Sequence, residues 1–308
     1  MKISDVLNKK KSGVSFEFFP PKGNAKGADG GVGPFMKVVK ELEKHDPLYA
    51  SVTYGAGGST QARTMDTLLK IKGATDLNVM SHLTCVGADK ESMDALLRDY
   101  MKAGIENILA LRGDAPRDMK DFDPSKGEFR YARDLVEFIK KYDFFSIGVA
   151  LYPEKHPEAP SLEKDIEYAK MKVDAGADFA ITQMFFDNGY YYDFMDRAIA
   201  KGINIPVIPG IMPVTDFNKI KEFCSFCNAS IPQSLERKML PVLESPEGIR
   251  KTGIEYVTRQ CEDLLENGVK YLHFYTLNRA DAINEILAAL RIRPAKEPNE
   301  QKKGSGPV

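Results

Sequence analysis

The chain is predicted to fold as a single α/β domain, a (β/α)8 TIM barrel with extra helices before the last strand. Three observations carry this. Residues 14–290 alternate between short, β-rich apolar runs and longer segments whose apolar residues recur at three- and four-residue spacing. The apolar runs number eight. A length of 308 residues suits one barrel. Eight β-then-α units without a break imply a parallel sheet closed on itself. An open doubly wound sheet usually has fewer strands and a reversal point, which the pattern does not show.

The elements follow in order. A short N-terminal helix precedes the first strand, 14–19 (VSFEFF). The remaining strands are 49–54 (YASVTY), 78–85 (NVMSHLTC), 107–113 (NILALRG), 146–153 (SIGVALYP), 179–186 (FAITQMFF), 206–211 (PVIPGI) and 271–278 (YLHFYTLN). Gly, Pro or Asp bounds each. Helical spacing is clear at 89–103 (Met93, Leu96, Leu97, Tyr100), at 161–175 (Leu162, Ile166, Ala169, Val173) and at 281–290 (Ile283, Ile286, Leu287, Leu290). Three stretches depart from the repeat. The Gly-rich segment 23–33 reads as a mobile loop, and 228–268 is long enough for extra helices. Residues 294–308 form a polar tail expected to be disordered, leaving 1–293 as the barrel domain.

Composition excludes several classes. Lys and Arg total 43 against 44 Asp and Glu, a net charge of −1, so no bulk field attracts nucleic acid or an anionic membrane. No apolar run approaches the ~18 residues of a membrane span. The N-terminus is too polar for a signal peptide. Four cysteines do not make a disulfide scaffold. The expectation is a soluble cytoplasmic enzyme.

Reactive groups of a barrel gather at the C-terminal ends of its strands. Those ends are rich in polar residues here: Glu17, Thr53, Tyr54, His82, Thr84, Arg112, Asp114, Tyr152, Glu154, His156, Gln183, Tyr275 and Arg279. Glu17 is the sharpest case. Period-2 alternation puts Val14, Phe16 and Phe18 on one face, toward the helices, and Ser15, Glu17 and Phe19 on the other. Glu17 then points into the barrel mouth. A half-dry carboxylate there should have a raised pKa, which suits a general acid. The alternative is a carboxylate paired with a barrel arginine.

Other motifs are less pointed. Arg112-Gly113-Asp114 at a strand exit offers a cation, a close backbone approach and a carboxylate; an ordinary turn with a local ion pair fits equally. Gly55-Ala56-Gly57-Gly58-Ser59-Thr60 links a strand to a helix but matches no dinucleotide or P-loop pattern, and none occurs elsewhere. The four histidines are widely spread, without HxH or HExxH, so no metal is expected. Cys224 and Cys227 fall at i and i+3 of a helix over 216–227 and read as partly buried thiols. Tyr190, Tyr191 and Tyr192 open the helix after the sixth strand and serve either packing or ring stacking.

Eight blocks now occur in order: SFEFFPPK (15–22), SVTYGAGGST (51–60), HLTC (82–85), LALRGD (109–114), YPEKHPEA (152–159), VDAGADFAITQMFFD (173–187), PGIMPV (209–214) and HFYTLNR (273–279). Together they resemble the methylenetetrahydrofolate reductase family in its short bacterial form, over about 14–293. The resemblance implies a barrel holding non-covalent FAD. NADH or NADPH reduces the flavin and leaves, and 5,10-methylenetetrahydrofolate then enters the same site, in ping-pong sequence. By position, Glu17 would protonate the folate and open its methylene bridge to an iminium ion. Asp114 would bind the pterin edge and tune the flavin. Gln183 and Arg279 would contact folate, and Thr53 would lie near the nicotinamide or flavin. The FAD positions would be Tyr54, His82, Arg112, Gly113, Tyr131, Ala132, Tyr152, His156, Asp165 and Lys172. Asp165, Tyr168 and Lys172 also share a helix face apart from the apolar stripe. A homo-oligomer is expected, with a folate as partner. Two departures stand out: the long Gly-rich 23–33, and Lys219 and Lys221 where the family places a folate-binding Gln.

Overall fold

A computed structural model of the chain describes residues 1–21, 31–55, 61–113 and 127–292. Asp114, most of the Gly-rich segment, residues 56–60 and the 294–308 tail lie outside the described residues.

The strands are β1 (Gly13–Phe18), β2 (Ala50–Val52), β3 (Val79–Thr84), β4 (Asn107–Leu111), β5 (Ser146–Leu151), β6 (Phe179–Thr182), β7 (Val207–Ile208), β8 (Gly210–Ile211) and β9 (Tyr271–Tyr275). The helices are α1 (Ile3–Lys9), α2 (Val32–Glu43), α3 (Gln61–Ala74), α4 (Lys90–Lys102), α5 (Ala132–Lys140), α6 (Leu162–Asp174), α7 (Asn188–Ala200), α8 (Phe217–Cys227), α9 (Gln233–Met239), α10 (Pro246–Glu266) and α11 (Asp281–Ala289). Strand order is β7-β6-β5-β4-β3-β2-β1-β9-β8, with every pairing parallel. The two ends of that order are consecutive in sequence, so the sheet closes and the eight-stave barrel stands. Side-chain caps start several helices: Asp89 accepts from Ser92 N at 2.7 Å, and Ser161 from Lys164 N at 3.2 Å.

Three expectations are corrected. The seventh strand, read as 206–211, is two pieces split at Pro209. Proline has no N–H for a ladder. Residues 207–208 pair with β6, while 210–211 pair with β9, and Pro209 O accepts from His273 N at 3.0 Å. Residues 31–33 are not loop: Gly31, at φ 83°, caps α2. The sixth strand ends at Thr182 rather than 186, because Met184, Phe185 and Phe186 are buried in packing, not in the ladder. The extra helices before the last strand are α9 and α10.

Alternation sorts the core into two layers. Outward residues such as Val14, Phe16, Phe18, Val52, Ile108 and Val149 join the helices in the larger cluster. Inward Met80, Leu109, Phe179, Ile181 and Ile208 join Ile3, Val6 and Leu7 of α1 in a second cluster, which makes the barrel floor. Asn107 anchors that floor. Its Oδ1 accepts from Ile3 N at 2.7 Å, and its Nδ2 donates to Val79 O at 3.0 Å and Met1 O at 3.1 Å. Asn107→Ala strands a buried N–H and frees α1, and should cost about 2–3 kcal/mol in chemical denaturation. A loss below about 0.5 kcal/mol would show that α1 holds itself in place.

Candidate active site

The site is built first from the inward face of β1. Glu17 is 9% exposed and pairs in register with Ser51 on one side and Tyr275 on the other. Its Oε2 lies 3.4 Å from His82 Nε2 on β3 and 3.7 Å from His273 Nε2 on β9. Among the described residues the ion-pair partners it faces are thus imidazoles, not the arginine of the alternative reading. His273 Nδ1 is 2.8 Å from Ser15 Oγ, and Tyr49 stacks on the His273 ring at 5.6 Å. Burial pushes the His82 imidazole below its ordinary range, while the Glu17 charge pulls the other way. Burial, with the Glu17 charge adding, raises the Tyr49 and Tyr275 phenols and keeps both neutral.

The backbone around Glu17 is clamped from β9. Thr276 Oγ1 donates to Glu17 O at 2.6 Å. Asn278 exchanges two bonds with Phe19: its Oδ1 accepts from Phe19 N, and its Nδ2 donates to Phe19 O, both at 2.9 Å. Leu277 and Asn278 have φ of 49° and 57°, so this turn is held in a left-handed shape by those bonds.

A second group of polar residues lines the rim from β4 to α6. Gly113 has φ of 87°, and a Cβ there would sit 2.7 Å from Thr84 Cβ, so only glycine fits. Arg112 makes a bidentate pair with Glu158 at 2.5 and 2.6 Å, which holds the Glu158 carboxyl below its usual range. Asp165 Oδ2 accepts from His156 N at 2.8 Å, and the Tyr152 and His156 rings meet edge-on at 4.7 Å. Lys172 Nζ donates to Ala150 O at 2.6 Å. Burial pulls its amino group down to about 8, with Asp165 opposing. Ala132 opens α5 just after Tyr131, which is 60% exposed. Tyr54 and Thr84 help line a cavity of about 160 Å³ between β3 and α4, where Thr84 Oγ1 is buried with no partner among the described residues. Burial raises the Tyr54 phenol to about 12.

The residues expected at the folate end are less tightly placed. Thr53 N donates to Phe18 O at 2.9 Å, which sets it beside the end of β1. Gln183 follows β6, where Thr182 O accepts from Tyr275 OH at 2.7 Å across the mouth; its own Oε1 accepts from Met184 N at 2.9 Å. Arg279 is exposed and pairs with Asp281 at 3.2 Å. Lys219 pairs with Asp216 at 3.5 Å on the α8 surface, and Lys221 sits over Phe217. Tyr191 stacks on Phe185, Tyr192 OH donates to Asp263, and Cys224 is buried, which are packing roles. His273, Ser15 and Tyr49 were missed as site residues. Strand parity held the signal, since 273 shares its face with 275, as 15 does with 17.

A closed parallel barrel with a buried carboxylate in its mouth, and with Arg112, His156 and Lys172 along one rim among the described residues, has the layout of a barrel enzyme. A family profile described as methylenetetrahydrofolate reductase matches residues 2–291. The chain belongs to that family. It is 39% identical to 5,10-methylenetetrahydrofolate reductase of Escherichia coli over 282 residues, covering 91% of each chain. The Pectobacterium carotovorum enzyme of the same name is 38% identical, again over 91% of both. Methylenetetrahydrofolate reductase (NADH) 1 of Arabidopsis thaliana is 36% identical over 90% of this chain but 48% of its own, so the chain spans about half of such longer relatives. A solved Clostridium thermocellum structure described as binding two copies of 5-methyl-5,6,7,8-tetrahydrofolic acid shares the fold, with a TM-score of 0.62, 15% identity and coverage of 94% and 97%.

Proposed function

We propose that the chain reduces 5,10-methylenetetrahydrofolate to 5-methyltetrahydrofolate, with FAD bound non-covalently along the β4–α6 rim and NADH or NADPH as electron donor. The observation that carries this is Glu17, a buried carboxylate at the mouth with no Lys or Arg paired to it among the described residues, in a chain of this family. The reaction consumes one proton per hydride. Glu17 would hold that proton and deliver it to N10 of the folate, so that the methylene bridge opens. The Thr276 and Asn278 bonds fix the backbone that presents it.

The rim fits the cofactor on its own terms. Gly113 leaves a cradle that a Cβ would fill, Thr84 Oγ1 is buried without a described partner, and Arg112, His156 and Lys172 bring donors to one edge. Lys172 and Arg112 would meet the phosphates. Asp165 would fix the His156 loop and take a ribose hydroxyl. Tyr54, His82, Tyr131, Ala132 and Tyr152 would line the rest. When bound, the flavin supplies hydride transfer between nicotinamide and folate. Gln183 and Arg279 would hold the folate, Arg279 through its glutamate carboxylate, while Thr53 and Asp114 would flank the reacting rings. The physiological setting we assign is methionine synthesis or another one-carbon pathway.

The direct test is spectral. The purified protein should carry flavin absorbance or gain it with added FAD, bleach anaerobically with NADH or NADPH, and regain colour with 5,10-methylenetetrahydrofolate. A protein that takes up no FAD would sink the proposal.

Lys172 adds a pH signature. Its amino group sits near 8 in the folded chain and near ~10.4 when unfolded, so the unfolded state holds more protons in that window. Folding stability contributed by this group therefore rises with pH from about 8 to ~10.4, as the cost of a buried ammonium is relieved. An anionic cofactor beside the ammonium reverses this locally. FAD binding at pH ~8.5 should take up a fraction of a proton, read by calorimetry in buffers of different ionisation heat. Lys172→Met should abolish the uptake. No uptake in the parent protein would place the phosphates elsewhere.

A further inference from the structure

One buried titratable group in the mouth has no part in the reaction just described. His273 is fully buried on the inward face of β9, and its Nε2 has no hydrogen-bond partner among the described residues. That nitrogen is aimed at the Glu17 carboxylate, 3.7 Å from Oε2.

The contacts of Ser15 suit a ring protonated at Nδ1. Ser15 Oγ lies 3.4 Å from Leu272 O, and only a hydroxyl hydrogen can bond to a carbonyl. The Ser15 oxygen is then left to accept from His273 Nδ1–H, 2.8 Å away. With Nδ1 protonated, a neutral ring turns a bare Nε2 toward Glu17. A bare nitrogen facing an ionised carboxylate is two acceptors in opposition. One proton between them converts the clash into a charge-assisted bond. The approach to hydrogen-bond length requires a carboxylate rotation of about 1 Å.

We propose that His273, held by Ser15, is a positioning residue that keeps one proton stored between its Nε2 and Glu17 Oε2 for delivery to the substrate. This rests on the reading of Glu17 as the acid. In the loaded pair the proton sits on either atom. On delivery the Glu17 O–H bond breaks, the folate N10–H bond forms, and the pair is left with a carboxylate and a neutral imidazole. A solvent proton, from hydronium or a buffer acid that leaves as its conjugate base, reloads it through the mouth once product leaves, where Glu17 keeps its 9% exposure.

The surroundings favour this pair. Ser15 and Glu17 face the ring from β1, Tyr49 from the approach to β2, His82 from β3 and Tyr275 from β9. Tyr152 and Cys227 act on Tyr275 from beyond β5 and from α8. Tyr49 and Tyr275 are neutral phenols. His82 Nε2, 3.4 Å from the same oxygen, likewise has no hydrogen-bond partner among the described residues, and the Ser15 contact that holds the ring is what singles out His273. The inward positions of β4, β5 and β6 (Leu109, Gly148 and Ile181) carry no ionisable group.

The test follows the two half-reactions of the flavin-loaded enzyme by anaerobic stopped flow across pH ~6 to ~9. His273→Asn keeps an amide donor near Ser15 and removes Nε2. Reduction of the flavin by NADH should stay within about threefold of the parent, because no proton from Glu17 is needed. The folate half-reaction should fall by about tenfold or more at pH ~8 and recover toward the parent rate at pH ~6, so its alkaline limb moves to lower pH. Ser15→Ala, the milder change, should show the same pattern at smaller amplitude. An unchanged profile, or a loss equal at every pH in both variants, overturns the proposal in favour of packing. If Glu17→Gln itself leaves the folate step intact, the acid assignment fails; if it abolishes the step while His273→Asn leaves the profile unmoved, only the proton store fails.

Discussion

Glu17→Gln should slow folate reduction by a factor of ~10²–10⁴, the usual contribution of one positioned proton donor. The substitution keeps the size and the backbone of the side chain, so the Thr276 and Asn278 clamp survives. It leaves a neutral amide where a proton must be given away, and an amide does not give one. Flavin reduction by the nicotinamide makes no such demand and should continue at close to the parent rate. The split between the two half-reactions is therefore the diagnostic, measured on protein with full flavin content. Equal losses in both would mean that Glu17 shapes the pocket rather than serving as its acid. Full retention of the folate step would move the acid elsewhere.

Gly210→Ala should lower stability by about 3 kcal/mol, seen as a fall of about 5–10 °C in melting temperature. Gly210 opens β8, the half-strand on which barrel closure depends. A Cβ built there overlaps the Thr182 carbonyl oxygen and lies 2.5 Å from Tyr275 OH. The obstacle is mainly backbone, so no rotamer change relieves it. The Gly210 N–H also donates to Thr182 Oγ1 at 2.9 Å, and a displaced strand forfeits that bond. Closure and site are coupled here, since Tyr275 OH itself donates to Thr182 O. A melting temperature within a degree of the parent would show that β7 and β8 shift freely.

Much of this was legible in the chain. Period-2 alternation placed Glu17 inward because β1 is amphipathic in chemistry, with an all-apolar outward face. Helix spans at 90–102, 162–174 and 281–289 followed from apolar spacing within one or two residues. The split at Pro209 was not legible, because the flanking residues are as apolar as any strand and only the missing donor tells. The partner of Arg112 was open at the sequence level, since Glu158 lies 46 residues away and a fold is needed to bring them together. The His82 and His273 pairing about Glu17 is likewise a product of closure, joining β1, β3 and β9. Sequence distance hides such clusters, whereas strand parity, once the closure is known, exposes them.

The stoppered floor has a kinetic consequence. Asn107 and the α1 cluster close the floor, and inward Met80, Leu109, Phe179, Ile181 and Ile208 fill the barrel above it, so a reagent meets Glu17 from the mouth. If the nicotinamide and the folate proposed above both react there, they must take turns. Each in excess should then slow the other by holding the mouth, and turnover should track exchange at the entrance as well as the chemistry.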